Sequence, residues 1–371
     1  VAAELGIPSG DPYPTPPPLK TAGLLLRLAV IAVVVGGIAV SFLYCGGWLT
    51  PGALTQDRMI DRFEEVNGPH PGFRRNHAKG VCITGYFDSN GNGVAISKAA
   101  IFAVGRVPVL GRFAFAGGQP YVADTPGNVR SLAVLFKLPT GEEWRSGMVD
   151  IPVFPVATPQ AFYDQLAAFA PDPATGKPDP AKVHDFLGEY PESAKALPLI
   201  LGRAVSSGFE NGTFNALDAF RFINANGDVA NVRWSMVSLQ PFEPVSATQP
   251  AQVDKNYLFD ALIASVHDHP LQWRLVVTIA DPGDPTNDAT LPWPPGRRQI
   301  DAGTLTVDHI ESEDTSPIRD INFDPLILPS GIASSDDPLL SARSAAYSVS
   351  FTRREGESKQ PSAVSSAETG K

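Results

Sequence analysis

Leu28 to Tyr44 (LAVIAVVVGGIAVSFLY) runs seventeen residues without a charge, and this stretch constrains the rest of the chain more than any other feature. With Thr21–Leu26 in front and Cys45–Leu49 behind, it approaches the length that spans a bilayer, with Arg27 placed near an interface. Lys20 and Arg27 lie on its N-terminal side, and the first charge after it is Asp57. The positive-inside tendency therefore keeps residues 1–20 in the cytoplasm and exports everything beyond Trp48. A cleaved signal peptide and a buried core helix are the competing readings. The polar leader, with Pro14, Pro16, Pro17 and Pro18, is long for a signal peptide, and no clear small-x-small cleavage site follows. The expectation is a cytoplasmic proline-rich tail over 1–20 and a single uncleaved transmembrane anchor over 21–48.

The exported part must bury a core of its own. Its 36 prolines and 33 glycines, counted over the whole chain, favour a loop-rich fold with strands over a helical one. A net charge of −10 without a basic patch argues against nucleic acid as a partner. Two cysteines, Cys45 and Cys82, are too few for a disulfide framework or a cysteine zinc site.

Short apolar runs (Val81–Phe87, Ala99–Val104, Val107–Phe115, Leu132–Lys137) separated by glycine, proline and asparagine predict strands after an opening helix over Thr55–Glu65. Thr158 followed by proline predicts a capped helix over Pro159–Phe169, and Ala181–Phe186 and Ser193–Leu201 are further helical candidates. Ala219–Trp234 is the strongest hairpin, with Asn226-Gly227 at its turn. A helix over Asn256–Val266, strands over Trp273–Ile279 and Thr304–His309, and a helix from Ser335-Asp336-Asp337-Pro338 through Val349 complete the order. That order predicts an α+β domain on an antiparallel sheet. The Ser/Glu/Lys-rich segment 355–371 reads as a disordered tail.

Several motifs carry little. Asp88-Ser89-Asn90-Gly91-Asn92-Gly93 matches the front of a calcium loop, but the twelfth position is Ala99 and no helix flanks it, so it reads as a turn. His267 and His269 beside Pro270 read as a polar helix end, because two ligands do not make a metal site. Asn211-Gly212-Thr213 is a glycosylation sequon only in a eukaryotic secretory pathway.

His77 stands apart because of its neighbours. Arg74-Arg75-Asn76-His77-Ala78-Lys79-Gly80, followed by Gly85-Tyr86-Phe87, resembles the distal-histidine segment of haem catalases. Four further segments resemble that family in order: Gly111-Arg112-Phe113 with Ala116-Gly117, then Arg130-Ser131-Leu132-Ala133-Val134, then Asn224-Ala225-Asn226-Gly227 in its hairpin. The last runs from Phe323-Asp324-Pro325 to Arg343-Ser344-Ala345-Ala346-Tyr347. The resemblance covers about residues 53–354 and implies a catalase-like antiparallel β-barrel with surrounding helices, binding haem b. It implies His77 as the catalytic base, Tyr347 as the axial iron ligand, and Arg74, Arg112, Phe162, Arg343 and Arg354 as cofactor contacts. Independently, Arg343 and Tyr347 are i and i+4 on a helix, so their side chains meet, and a guanidinium there favours an anionic oxygen ligand.

The pattern departs from full catalases in three places. The catalytic asparagine position holds Val149, with Asp150 beside it, and the serine that supports the distal histidine aligns with Ala114. The chain also ends soon after the proximal helix. These departures are similar to the small catalase-related peroxidases. They imply reduction of organic hydroperoxides or H2O2 by an organic reductant, with weak catalase activity, on the periplasmic side of the inner (cytoplasmic) membrane. Association into a homo-oligomer or with a membrane complex is an accompanying expectation. Two other chemistries stay open at this level: a haem-binding but non-enzymatic accessory subunit of a membrane complex, and a lipid-hydroperoxide rearranging enzyme such as an allene oxide synthase.

Overall fold

The computed structural model describes residues 21–50, 52–245 and 255–369; the proline-rich tail lies outside the described residues. The chain forms two units, residues 1–55 and 56–371. The first holds helix α1 (Thr21–Cys45), 25 residues with no buried side chain. Its mean hydropathy of 2.5 and its length suit either a membrane span or a signal sequence.

The second unit is built on eight antiparallel strands: β1 (Gly80–Ser89), β2 (Gly105–Phe115), β3 (Arg130–Lys137), β4 (Glu143–Val149), β5 (Phe214–Ile223), β6 (Val229–Ser238), β7 (Leu271–Ile279) and β8 (Gln299–Glu311). They pair in the order β4-β3-β2-β1-β8-β7-β6-β5, and Val149 opposite Asn215 joins β4 to β5 and closes the barrel. A short β9 (Ile332–Ser334) extends β5. Helices α2 (Gln56–Asn67), α3 (Pro159–Ala168), α4 (Pro180–Glu189), α5 (Pro191–Leu201), α6 (Tyr257–Asp268) and α7 (Pro338–Glu355) surround it, with α8 (Ser366–Thr369) at the end. The α+β architecture expected from the sequence is therefore present as a closed barrel with helices.

Aromatic residues fill the barrel. Trp144 meets Trp234 edge-on at 5.0 Å between ring centroids and stacks on Phe136 at 5.1 Å, while Phe113 touches Phe209, Phe214 and Trp273. Trp234 Nε1 donates to Ser146 Oγ and Trp273 Nε1 to the Gly212 carbonyl, which satisfies two of the buried indoles. An interior packed this way leaves no room for a cofactor, so a functional cavity must lie against the outer face of the wall. Strand alternation decides which residues face it. Phe113, Phe115, Val134 and Phe214 point inward and are fully buried in the core, and their neighbours one position away point out.

Some local expectations are corrected. Ala99–Val104 is no strand: Ala100–Phe102 forms a single 3₁₀ turn that still buries Ile101 and Phe102. The Asp88–Gly93 segment, read as a turn, is the end of β1 followed by a bend at Asn90-Gly91 into a 3₁₀ turn over Asn92–Ala95, with Asn90 Oδ1 accepting from the Asn92 amide. Asn211 of the sequon is buried, and its side-chain amide bonds the Ser207 hydroxyl and the Gly208 amide. The largest correction concerns the tail expected to be disordered. Its polar composition hides a few anchors: Glu357 accepts from the Gly72 amide and pairs with Arg75, Val364 is fully buried, and the Ser312 hydroxyl donates to the Val364 carbonyl.

Gly85 sits at the irregularity where β1 shifts register against β8, and a Cβ there would run into the Thr306 carbonyl. Gly85→Ala should lower stability by about 3 kcal/mol through this overpacking, measured by denaturant unfolding; an unchanged midpoint would contradict the packing.

Candidate active site

One cavity lies between the outer face of β2–β5 and helix α7. Arg112 and Ala114 of β2, Ser131 and Ala133 of β3, Gly147 and Val149 of β4, and Asn215 and Leu217 of β5 line it from the barrel side. These are the outward positions of the period-2 pattern. Helix α7 supplies the opposite wall through Leu339, Arg343, Tyr347, Ser350 and Arg354, spaced three or four apart and so on one face. The helix starts where Asp337 caps it, its carboxylate accepting from the Leu339 amide at 2.9 Å, with Pro338 in the first turn. Met59, Ile60 and Phe63 of α2 and Phe162 of α3 close the remaining side. Phe162 packs on Phe63 at 5.8 Å and Phe154 at 5.7 Å. Arg353, on the far side of α7, pairs with Asp61 and Asp57 and ties α2 down.

His77 enters the cavity from the segment before β1. It has φ 57°, the one positive φ at a non-glycine among the described residues, a conformation that costs an L-residue roughly 1–2 kcal/mol. The surroundings hold it there. Asn76 Oδ1 accepts from the His77 amide at 3.0 Å and from the Gly117 amide at 2.7 Å, and the Ala78 amide donates to the Gly117 carbonyl at 2.9 Å. Strain stabilised at several points is typical of functional positions.

The tautomer of His77 follows from a hydroxyl with one proton. Ser131 Oγ lies 3.0 Å from His77 Nδ1 and donates to the Ala114 carbonyl at 3.1 Å. Having given its hydrogen away, the hydroxyl accepts from Nδ1–H, which leaves Nε2 as the unprotonated nitrogen. Burial, reinforced by the positive charges of Arg112, Arg343 and Arg74, lowers the His77 pKa to about 3, against a smaller opposing effect of a backbone hydrogen bond with Phe115. The imidazole is a neutral base.

On the opposite wall Arg343 faces the same cavity as Tyr347, one turn away on α7, and forms a close ion pair with Asp218 of β5. Burial opposes the Arg343 charge, but Asp218 and Tyr347 together raise its pKa. A Cβ on Gly147 would stand 3.8 Å from Tyr347 Oη, so this glycine keeps the barrel wall low opposite the tyrosine. Asp337 carries a carboxyl raised to about 7, by burial first and by the charge of Asp218 second.

At one end of the cavity Arg74, Arg112 and Arg354 gather around a single carboxylate, Glu313. Burial, then Arg354 and Arg112, lower the Arg74 pKa to about 9. Burial pushes the Glu313 carboxyl up, yet Arg112 and Arg74 outweigh it and hold the group below the usual range. Arg354 gives Nη1 to the Arg319 carbonyl at 2.6 Å, while its buried Nε has no hydrogen-bond partner.

Every residue singled out in the sequence, His77, Arg74, Arg112, Phe162, Arg343, Tyr347 and Arg354, lines this one cavity. One reading changes. The hydroxyl at His77 comes from Ser131, which faces Ala114 directly in the β2–β3 register, so the missing side chain is supplied from the adjoining strand. Arg112 lines the cavity and is bonded to Glu313 and to the His77 and Ala78 carbonyls. Glu313 and Asp218 were missed altogether. Neither carries a motif, and only tertiary pairing reveals them. Asp150 lies behind the cavity, where it pairs with Arg130 at 3.9 Å and Arg203 at 3.7 Å.

Comparison with known proteins agrees with this arrangement. The chain is 33% identical over 331 residues to a catalase-related peroxidase of Synechococcus elongatus, covering 89% of this chain and 96% of that one. It is 32% identical over 306 residues to a catalase-related peroxidase of Mycolicibacterium paratuberculosis, covering 82% and 96%. Among solved structures, a fungal catalase superposes with a TM-score of 0.70 at 19% identity, and catalase A from Saccharomyces cerevisiae with 0.69 at 20%. The matches cover 80% of this chain but only 62% and 64% of those catalase chains. The catalase family model matches residues 50–366, and the chain belongs to the catalase family.

Proposed function

We propose that this protein is a haem-dependent peroxidase that reduces organic hydroperoxides, and H2O2 less well, with an organic reductant. The observation that carries the proposal is a buried histidine held by Ser131, facing the same cavity as Tyr347 and Arg343.

The family implies haem, and the residues present suit it. Three guanidiniums against one carboxylate leave an excess of two positive charges at one end of the cavity, with the Arg354 Nε unpartnered. Two propionates supply that missing charge. Arg74 and Arg354 would hold them, Tyr347 would ligate the iron with Arg343 on its oxygen, and Phe162 would pack against the ring. Haem b, when bound, supplies the iron at which the O–O bond of a hydroperoxide is broken.

The chain's own residues do the rest. His77 Nε2 takes the proton of the hydroperoxide and returns it to the departing oxygen, while Ser131 keeps Nδ1 protonated so that Nε2 stays free. Two electrons and two protons convert the hydroperoxide into an alcohol and water, the electrons coming from a reductant of the phenol class. Val149 and Leu217 offer no amide to hold a second H2O2, which supports weak catalase activity and a preference for apolar hydroperoxides. A purely haem-carrying accessory role is less well supported, since such a subunit has no use for a strained, tautomer-fixed base. Helix α1 supports a single-pass anchor in the cytoplasmic membrane with the barrel on the periplasmic side, where a homo-oligomer or a membrane complex would form.

His77→Ala should leave the haem bound and slow the reaction with hydroperoxide by about a thousandfold. Tyr347→Phe should instead lose the haem or displace its absorption bands. Unchanged spectra and rates in both variants would remove the assignment. Ser131→Ala should cost about tenfold in the hydroperoxide reaction at equal haem content; equal rates would mean the hydroxyl does not orient the base. Because the folded-state pKa of His77 is depressed to about 3, the base form persists as pH falls. The bimolecular rate should therefore stay flat from about pH 8 to about pH 5, where an ordinary histidine would lose it near 6.5. A limb near 6.5 in stopped-flow profiles would contradict the buried, neutral imidazole.

A further inference from the structure

We infer that Tyr190, hydrogen-bonded to Asp164 outside the cavity, is a redox site where neutral or cationic phenols and aromatic amines deliver their electrons. The inference rests on the proposed haem-dependent reduction of hydroperoxides.

A peroxidase needs a place for its donor as well as for its hydroperoxide. The cavity is walled by Met59, Ile60, Phe63, Phe154 and Phe162, and a haem would fill the space between them and α7. A bulky donor is better served at the surface. Tyr190 is half-buried there, ending α4 and opening α5. Its hydroxyl donates to Asp164 Oδ2 of α3 at 2.6 Å, the short contact of a phenol with a charged carboxylate. Gln160 Nε2 donates to the same oxygen at 3.0 Å and holds the carboxylate in place.

That pairing separates Tyr190 from the other tyrosines. Removing an electron from a phenol makes its proton strongly acidic, so a base at the hydroxyl lowers the cost. Burial first, and the Asp164 bond second, raise the Tyr190 pKa, so the phenol stays protonated until the electron leaves. Among the described residues, Tyr190 is the one tyrosine whose hydroxyl donates to a carboxylate. Tyr163 accepts from Arg62 Nη2 at 2.8 Å and lies under Arg62 and Arg58, 4.3 and 5.8 Å from its ring centre. Two cations over a ring oppose the loss of an electron from it. Tyr121 donates to the Pro361 carbonyl, a far weaker base.

The path to the cavity is short. Asp164 follows Phe162 by two residues on α3, so the Tyr190 hydroxyl lies within roughly 12 Å of the Phe162 backbone. An electron crosses such a span of packed protein readily. Phe154, Phe162, Phe169, Phe186 and Tyr190 share one apolar cluster, with Tyr190 4.9 Å from Phe186 between ring centres. Asp164, Glu189 and Glu192 surround Tyr190 with negative charge, which favours neutral or cationic donors over anionic ones.

In the step itself, Tyr190 gives one electron into the cavity and its hydroxyl proton to Asp164. The donor then gives one electron to the tyrosyl oxygen and Asp164 returns the proton, while a phenol donor releases its own proton to water. Two rounds supply the two electrons, and solvent the two protons, by which one hydroperoxide, the oxidant, becomes an alcohol and water.

Two measurements test the site. In the haem-free protein, flash-generated ruthenium(III) tris-bipyridine should oxidise tyrosine with a fastest phase that Tyr190→Phe removes. Asp164→Asn should slow that phase about tenfold. In the haem-loaded protein mixed with cumene hydroperoxide and no donor, a tyrosyl electron-spin resonance signal should form. Tyr163→Phe should keep the signal and Tyr190→Phe should lose it. Oxidation of tetramethyl-p-phenylenediamine should fall about tenfold in Tyr190→Phe at equal haem content. A radical that survives Tyr190→Phe, or donor oxidation unchanged in that variant, would overturn the site and leave the proposed function standing. If hydroperoxide produces no optical change in the haem-loaded wild type, the proposed function fails and the site falls with it.

Discussion

Burying guanidiniums is costly unless each finds an anion, and here Arg74, Arg112 and Arg354 share one carboxylate, Glu313. Much of the site follows from that imbalance. Together with burial, which is the larger cause, it lowers the pKa of Arg74 and of His77. On the opposite side Arg343 is paired with Asp218 and lies beside Tyr347. The cavity is therefore electrically divided, with the unpaired charge at one end and a paired guanidinium beneath the tyrosine.

The barrel makes this division possible by filling itself. Trp144, Trp234 and the phenylalanines around them occupy the interior, so the outward positions of β2, β3, β4 and β5 become the floor of the site. Alternation places Arg112, Ala114, Ser131, Ala133, Gly147 and Val149 on one surface. Neighbouring strands then exchange duties: a hydroxyl at 131 reaches the same imidazole that a side chain at 114 would reach, because the two positions face each other across the ladder. Val149 presents an apolar side chain on that same surface.

What could be read from the sequence was local or carried by ordered motifs. The Asn226-Gly227 hairpin, the capped start of α7, and the i, i+4 relation of Arg343 and Tyr347 depend on residues close in the chain. Five segments in order also placed the barrel and its cavity residues. Contacts made across the ladder or between distant loops were illegible. Ala114 looked like a loss because its hydroxyl substitute stands on the next strand, and reading along the chain does not reveal that Arg112 has a partner 201 residues away in Glu313. The tail failed for a related reason: its composition is polar, but Glu357 and Val364 have partners waiting on the barrel. Ala99–Val104 buries Ala99, Ile101 and Phe102 but leaves Val104 exposed, and it folds as a 3₁₀ turn and not as a strand.

The central claim is that a base and a tyrosine-bound haem reduce hydroperoxide at the expense of an organic donor. Stoichiometry tests it most directly. Haem-loaded protein is mixed with an alkyl hydroperoxide or H2O2 and a phenolic reductant, and donor oxidised and O2 released are followed together. The account predicts two electrons taken from the donor for each hydroperoxide consumed, with little O2 even from H2O2. Rapid O2 release from H2O2 with the donor untouched would contradict it.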